Sequence, residues 1–444
     1  MTSQRNSDDD GVRLEDFHAY MPKHQYIFGP SGDLWPASSV DARVAAVPLR
    51  DANGNIKTDK NGQPETILAS KWIDTHRPVE QIVWAPALPQ RIEDRLVSDG
   101  GWIERSGCAC FNLYRPTRIS KGDARKAQPW LDHVARVYPN EAEHIVSWLA
   151  HRVQRPHEKI NHAVVMGGMQ GIGKDSILEP IKSAIGPWNF AEVSPTHLLG
   201  RFNGFVRSVI LRISEARDLG DLDRYTFYDR LKIYTAAPPD VLRVDEKNLR
   251  EYAAWNVCGV VITTNHKSDG LFLPADDRRH FVAWSDLTQS EVDPLYFQKL
   301  YRWFAAGGDR HVAAYLASRD LSGFDPKSPP PKTAAFWDMV DANRAPEDAE
   351  LADAFEQLGS PTAVTLAEIS ANAGAKLATY LDDRRNSRQI PRRLESAGYV
   401  AARNPDSKDG LWRIDGRRQM VYVKQTLLPK ERVAMASDFV CAKR

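Results

Sequence analysis

The sequence has few cysteines, no long apolar run and almost no net charge, and each of these absences limits its function. Only four of the 444 residues are cysteine, too few for a disulfide framework, so we expect a reducing compartment, the cytoplasm. No apolar run approaches the roughly 20 residues that span a bilayer. The polar, acidic start MTSQRNSDDDG is unlike a signal peptide, so we expect no membrane partner. Lys and Arg number 59 against 58 Asp and Glu, so only the local distribution of charge can indicate nucleic-acid binding.

A glycine-rich stretch carries the clearest chemical signal. In NHAVVMGGMQGIGKDS, residues 161–176, an apolar run precedes the glycines and an apolar-periodic segment follows. This pattern predicts a buried strand, a phosphate loop and a helix, and it fits G-x-x-x-x-G-K. Glycines let backbone N–H groups face phosphate oxygens, the helix N-terminus adds positive charge, and the lysine reaches the β- and γ-phosphates of ATP. The predicted nucleotide-binding residues are Gly168, Gly171, Ile172, Gly173, Lys174, Asp175 and Ser176.

The residue after Gly-Lys departs from the usual pattern. A Ser or Thr normally binds magnesium there, whereas this chain has Asp175 followed by Ser176. A carboxylate is a good ligand for a hard cation, so Asp175 is one candidate for binding Mg²⁺. Ser176, after a small shift of the loop, is the other, and the sequence leaves both open.

Two further apolar runs end in polar residues. The run 206–213 (VRSVILRI) is followed by Ser214 and Glu215, as in a Walker B strand whose glutamate activates the attacking water, although Ser214 stands where an Asp is usual. Glu215 is therefore the predicted general base, with a helix cap as the alternative. The run 257–264 (VCGVVITT) ends at Asn265, which we predict to sense the γ-phosphate unless it is a plain turn residue.

Adjacent arginines, Arg278 and Arg279, precede a predicted strand at 281–284. Either could act as an arginine finger on the ATP of a neighbouring subunit, because a planar guanidinium stabilises charge on the transferred phosphoryl group. A solvated turn is the alternative, and the sequence does not rank the two arginines.

Together GMQGIGKDS, VILRISEAR, VVITTNH and DDRRHF, within about 120 residues, resemble the motifs of superfamily 3 helicases. The likeness is greatest to the primase-helicase replication proteins of phages and other mobile elements, and it covers residues 15–285. It implies an AAA+ core, a ring that is usually a hexamer, Mg²⁺-ATP hydrolysis between subunits and translocation on DNA. It also implies a pore hairpin between the Walker B and sensor strands, where Lys232, Arg243 and Lys247 would grip single-stranded DNA. A solvated basic turn is the alternative. No acidic pair typical of a primase palm precedes the core, so a partner primase would be a separate chain.

The tail from 361 to 444 is basic, with 16 Lys and Arg against nine Asp and Glu, a net charge of +7. A helix predicted at 387–398 carries Arg388, Arg392 and Arg393, and hairpin strands follow. Helices followed by a hairpin are typical of a winged helix, with the arginine helix reading duplex DNA. The alternative is a basic packing module.

The predicted fold class is α/β: an AAA+ type P-loop ATPase core, an N-terminal α+β region and a C-terminal winged-helix-like domain. The predicted segments are a disordered tail (1–12), the α+β region (13–120), a helical collar (121–160), the ATPase core (161–320), a linker region (321–360) and the DNA-binding domain (361–444). The predicted function is that of an ATP-dependent replicative DNA helicase. The alternatives are an AAA+ ATPase that loads or remodels a replication partner, and a DNA-binding initiator switched by nucleotide.

Overall fold

The structure, a computed structural model, describes residues 11–443 apart from 99, 119–120, 215–223, 248, 250, 268–270, 292, 343–345, 384–386 and 388–389. The chain divides into two compact units, with the boundary between Met339 and Val340. Within the described ranges, every helix is too short or too polar to cross a bilayer.

The N-terminal part of the first unit consists of short strands and helices. In chain order they are β1 (Phe17–Tyr20), β2 (Gln25–Phe28), β3 (Asp33–Trp35), α1 (Ala37–Arg43), β4 (Val47–Pro48), β5 (Thr66–Ile67), α2 (Ala69–His76), β6 (Pro78–Val79), β7 (Gln81–Trp84), β8 (Arg91–Ser98) and β9 (Gly101–Asn112). One sheet has the order β3-β2-β1-β6, and α1 and α2 pack on it through Val40 and Ile73, both fully buried.

The remainder of the first unit alternates strands and helices after a helical pair. Its elements are α3 (Gln128–Val137), α4 (Ala142–Gln154), β10 (Ala163–Gly168), α5 (Lys174–Ile185), β11 (Phe190–Val193), α6 (Pro195–Leu198), β12 (Ile210–Ile213), α7 (Arg224–Thr235), β13 (Val241–Val244), β14 (Tyr252–Trp255), β15 (Gly259–Thr264), β16 (His280–Ser285), α8 (Pro294–Trp303), α9 (Asp309–Ser318) and α10 (Ala334–Ala342), whose last three residues fall in the second unit. A π-helical turn, Phe304–Gly308, joins α8 to α9.

A five-stranded parallel sheet forms the centre of this unit, in the order β11-β12-β15-β10-β16. Every residue of β10 and β15 is buried, as expected of strands covered on both faces. Helix α9 packs against α4 and α5. Because all the strands are parallel, the loop after β10 and the ends of β12 and β15 meet at one edge of the sheet. The fold is therefore mixed α/β with a parallel sheet, as the sequence predicts.

Two strand starts differ from the prediction. The strand predicted from Val206 begins at Ile210, because Gly204–Val206 form a 3-10 turn and Ser208 Oγ donates to the Phe205 carbonyl at 2.8 Å. The strand predicted from Val257 begins at Gly259. Strand β15 lies between β12 and β10. The strand that leads to Glu215, β12, is therefore separated by one strand from β10, which leads into the phosphate loop.

A second five-stranded sheet joins distant parts of the sequence, in the order β13-β14-β7-β9-β8. Strand β14 runs parallel to β7, with Ala254 opposite Trp84. Strands β13 and β14 form the hairpin predicted to line a pore. The hairpin is thus one edge of a sheet whose other strands come from the segment predicted as a separate N-terminal region.

The second unit contains α11 (Pro346–Gln357), β17 (Ala363–Thr365), α12 (Leu366–Ala371), α13 (Ala375–Asp382), α14 (Ile390–Ser396), β18 (Tyr399–Ala402), β19 (Trp412–Ile414), β20 (Arg417–Gln419), β21 (Val421–Lys424) and α15 (Pro429–Ala442). Strands β17, β21 and β18 form an antiparallel sheet in that order, and β19 pairs with β20. Thr365 and Glu368 form a capping box that begins α12. Within 321–360, predicted as a linker from its prolines, the helices α10 and α11 bury Phe336, Met339, Leu351 and Phe355.

Candidate functional site

The glycine-rich loop connects β10 to α5, as predicted. Gly171 and Gly173 have φ angles of +83° and +95°, in the left-handed region that favours glycine. Gly173 also lies so close to α3 and α8 that an added Cβ would stand 2.6 Å from His133 Cε1 and 2.7 Å from Phe297 Cε1. Conformation and space therefore both require glycine at this point of the loop.

Lys174 is the first residue of α5, and its ammonium group lies within the loop. The residue is only 7% exposed. Its Nζ donates to the carbonyls of Gly168 at 2.6 Å and Met169 at 2.7 Å, and to Asn265 Oδ1 at 2.8 Å. Burial lowers the pKa of Lys174 to about 8, because desolvation disfavours the charged form. Two residues predicted independently, Lys174 and Asn265, are thus in direct contact.

The two candidate magnesium ligands have different partners. The Asp175 carboxylate, whose side chain is 68% exposed, forms an ion pair with Arg212 Nη2. The Ser176 hydroxyl lies 2.9 Å from the Tyr301 hydroxyl of α8. Arg212 and Tyr301 are contacts that the sequence pattern did not indicate.

A cavity of about 300 Å³ opens at this loop. It is lined by the loop from Gln170 and by side chains that include Lys174, Asp175, Arg212, Asn265 and Tyr301. A larger cavity, of about 850 Å³, lies between α4 and residues 319–333. That second cavity shares no lining residue with the smaller one. Because the glycine-rich loop lines only the smaller of these two cavities, that one is the candidate site for phosphate binding.

Helix α3 holds the loop from behind. His133 Nε2 lies 2.9 Å from the Gly173 carbonyl, and Nδ1 lies 3.0 Å from the Tyr296 hydroxyl. A carbonyl only accepts, so Nε2 carries the proton and Nδ1 accepts from the tyrosine. Burial lowers the pKa of His133 and favours this neutral form, against the opposing effect of the carbonyl. Tyr138, one residue beyond α3, donates its hydroxyl to the Gly167 carbonyl at 3.1 Å.

The segment with the two arginines is fixed by a residue that the sequence analysis did not single out, Asp277. Its carboxylate accepts from the backbone N–H groups of Arg279 at 2.9 Å and His280 at 3.0 Å, and from the Tyr228 hydroxyl at 2.7 Å. Burial raises the pKa of Asp277, but the hydrogen bonds from His280 and Tyr228 outweigh it and bring the value to about 2. Arg278 is exposed, whereas Arg279 is half-buried and its carbonyl accepts from Ala163 of β10 at 2.8 Å. Of the two arginines, Arg278 is therefore the more exposed.

The predicted base lies beyond the described part of the chain. Strand β12 ends at Ile213, and the backbone N–H of Ser214 donates to the Val193 carbonyl at 3.0 Å. Glu215 falls within 215–223, outside the described residues.

The predicted DNA-binding residues of the first unit do not lie together on one hairpin. Arg243 is exposed on β13 and Lys247 is exposed in the turn that follows. Lys232 lies on α7, where it pairs with Asp229 at 2.8 Å and stacks over the Tyr228 ring. Placing Lys232 on the hairpin was wrong, because the segment 224–235 forms a helix before the hairpin begins.

In the second unit, Arg393 on α14 donates through Nε to the Tyr380 hydroxyl at 2.9 Å and stacks over that ring. Arg392 lies on the same helix, but its side chain is not among those described. Arg388 falls outside the described residues.

Comparisons with known proteins relate the chain to a fold. Residues 165–279 match a family of unknown function, DUF5906. No curated protein matches the sequence. Two solved apo structures of the NrS-1 C-terminal region have TM-scores of 0.57 and 0.56 at 14% identity. The first aligns with 92% of this chain and 96% of its own chain, and the second with 90% of this chain and 93% of its own chain. JCV helicase overlaps 55% of this chain and 68% of its own, with a TM-score of 0.31 and 10% identity. The likeness to NrS-1 therefore extends over both units, and it is a likeness of fold.

Proposed function

We propose that this chain is an ATP-dependent replicative DNA helicase of a phage or mobile element, which works as a ring and hydrolyses ATP between subunits. The contact between Lys174 Nζ and Asn265 Oδ1 carries the proposal. It joins the first residue after the phosphate loop to the tip of the neighbouring parallel strand, where the γ-phosphate of a nucleotide would lie. The fold likeness to the NrS-1 C-terminal region, over nearly the whole chain, supports the same assignment.

The residues at the loop suit a magnesium-nucleotide complex. Asp175 and Ser176 supply oxygen ligands, the kind that Mg²⁺ prefers. Among the described residues, no group of three or more His, Cys, Asp or Glu side chains could hold a metal by itself. Mg²⁺ usually binds through one or two protein oxygens together with substrate phosphates, and Asp175 and Ser176 could supply those oxygens. The ion would neutralise charge that develops on the phosphates.

In this mechanism Lys174 binds the β- and γ-phosphates and Asn265 orients the γ-phosphate. Glu215 takes the proton of the attacking water as general base. Arg278, exposed on a turn anchored by Asp277, reaches the ATP of the next subunit and stabilises charge on the transferred group. Such an arginine is worth about 10³–10⁵ in rate. Arg279 is the weaker candidate, because its backbone and part of its side chain belong to the packed interior.

DNA would contact the protein in two places. Arg243 and Lys247 lie at the exposed end of the β13–β14 hairpin and suit the backbone of single-stranded DNA in a ring pore. The second unit has the connectivity helix, strand, helices, strand, hairpin, strand, helix, with the sheet order β17-β21-β18. This arrangement supports a winged helix that binds duplex DNA through the arginines of α14.

The test measures ATP turnover with and without single-stranded DNA, and strand displacement on a forked duplex. We expect turnover that DNA stimulates, displacement that requires ATP, and loss of both in Lys174→Ala. Turnover without displacement would instead favour an ATPase that loads or remodels a partner. DNA binding that responds to nucleotide without turnover would favour an initiator.

A further inference from the structure

Arg212 is a second cation inside the candidate nucleotide site, and the proposed mechanism does not use it. It lies on β12, two residues before Ser214, and its side chain is 11% exposed. Nη2 contacts the Asp175 carboxylate and lies 3.4 Å from Thr263 Oγ1, and Nη1 lies 3.6 Å from Glu192 Oε1. The guanidinium therefore lines the same cavity as Lys174, on the side of the neighbouring strands β12 and β15.

The two members of the Asp175–Arg212 pair differ in what they lose on separation. Asp175 is 68% exposed, so water or a metal ion can replace its partner. Arg212 is nearly buried, and within the described residues its Nε has no hydrogen-bond partner. A buried charge left without a counter-charge is costly, so Arg212 needs another anion whenever the Asp175 side chain rotates away from it. Glu192, at 3.6 Å and half exposed, is a weak substitute.

We propose that Arg212 exchanges between Asp175 and the terminal phosphate of a bound nucleoside triphosphate, and so distinguishes triphosphate from diphosphate within one subunit. This inference rests on the proposed function in that it assumes a nucleotide at the loop. When Asp175 turns to a magnesium ion, the terminal phosphate becomes the counter-charge of Arg212. After that phosphate leaves, Arg212 returns to Asp175 and competes with the metal for the same carboxylate.

The exchange predicts an unequal effect on two nucleotides. A hydrogen bond to a charged group contributes roughly 10- to 100-fold in affinity. In Arg212→Gln, binding of the β,γ-imido analogue of MgATP should therefore weaken by about that factor, whereas MgADP binding should change by less than about threefold. Arg212→Lys keeps the charge and should recover part of the loss. Arg207→Gln is the matched control, because Arg207 is 42% exposed and pairs with Glu246 at 3.1 Å outside the cavity.

A second variant tests the partner in the exchange. Asp175→Asn releases Arg212 from its carboxylate, so the triphosphate analogue should bind several-fold more tightly in the absence of divalent metal. The double variant Asp175→Asn/Arg212→Gln should lose that gain, because the two residues are coupled. Thermal unfolding of each variant, measured alongside, identifies any loss that comes from misfolding.

The outcomes separate this inference from the proposed function. Equal weakening of both nucleotides in Arg212→Gln would give the residue a merely structural role. No change in metal-free binding for Asp175→Asn would show that Arg212 stays where it is. Either result overturns the exchange. Failure of the wild-type chain to bind either nucleotide would overturn both, whereas binding without DNA-dependent turnover would reject only the helicase.

Discussion

The pKa of Lys174 leads to a strong pH dependence of nucleotide binding. Burial brings this pKa to about 8, so the free protein loses the lysine charge as pH rises through that value. About three quarters of Lys174 is protonated at pH 7.5 and about 3% at pH 9.5. Bound phosphate raises the pKa again, because an opposite charge favours the ammonium form. Binding of triphosphate should therefore weaken by roughly 25-fold across this interval.

Equilibrium titration of the β,γ-imido ATP analogue at several pH values between 7.5 and 9.5 measures this change. Any titration of the analogue's own phosphates affects every protein variant alike, so the difference between the wild-type and Lys174→Arg profiles isolates the contribution of the lysine. Lys174→Arg carries a permanent charge and should give a nearly flat profile, even if its affinity is lower. Lys182→Arg is the matched control on the same helix, where Lys182 pairs with Glu179 at 3.2 Å. It should keep the wild-type slope.

A flat wild-type profile would refute the reasoning. A lysine with an ordinary pKa near 10.5 loses only about a tenth of its charge by pH 9.5, so the expected change would be close to nothing. An equal slope in wild type and Lys174→Arg would also refute it, by attributing the pH dependence to another group.

Two further predictions concern the support of the loop and of the sheet. His133→Ala removes the hydrogen bond to the Gly173 carbonyl and should weaken nucleotide binding by roughly 5- to 100-fold. Tyr296→Phe removes only the second hydrogen bond of the His133 ring and should weaken nucleotide binding less. Equal effects of the two variants in a binding titration would contradict this order. Gly259→Ala places a Cβ 2.6 Å from two fully buried side chains of α4 and should lower the free energy of unfolding by about 1–3 kcal/mol or more. Gly323→Ala, at an exposed position with open space, is its control. Equal denaturation midpoints for the two variants would show that the side chains of α4 move aside without loss of stability, which would contradict the prediction.

The sequence was sufficient for those parts of the site that are local in the chain. The strand, loop and helix from Ala163 to Ile185 follow from one apolar run, four glycines and an apolar-periodic segment. The contact of Lys174 with Asn265 could also be anticipated, because both residues follow apolar strands of one parallel sheet, and such strands end at a common edge.

Other parts of the site depend on contacts that a sequence pattern does not encode. The pairing of Arg212 with Asp175 requires β12 to lie next to β15 and the arginine to point toward the loop. His133 lies 40 residues before the glycine that it supports. The hairpin β13–β14 adds to β7, about 170 residues earlier in the chain, through backbone hydrogen bonds that carry no side-chain signature. The prolines at 329–331 indicated a linker, whereas the residues that follow form the helices α10 and α11, which carry buried side chains.

Hydrolysis between two subunits is the central claim, and mixing two inactive variants tests it most directly. Glu215→Gln lacks the base and Arg278→Ala lacks the finger, so each alone should be inactive. In mixed rings some interfaces combine an intact Glu215 site with an intact Arg278 from the next subunit, and ATP turnover should return. The same mixing experiment is repeated with Arg279→Ala in place of Arg278→Ala. If ATP turnover returns in neither experiment, in rings proven to contain both variants, the shared site is contradicted.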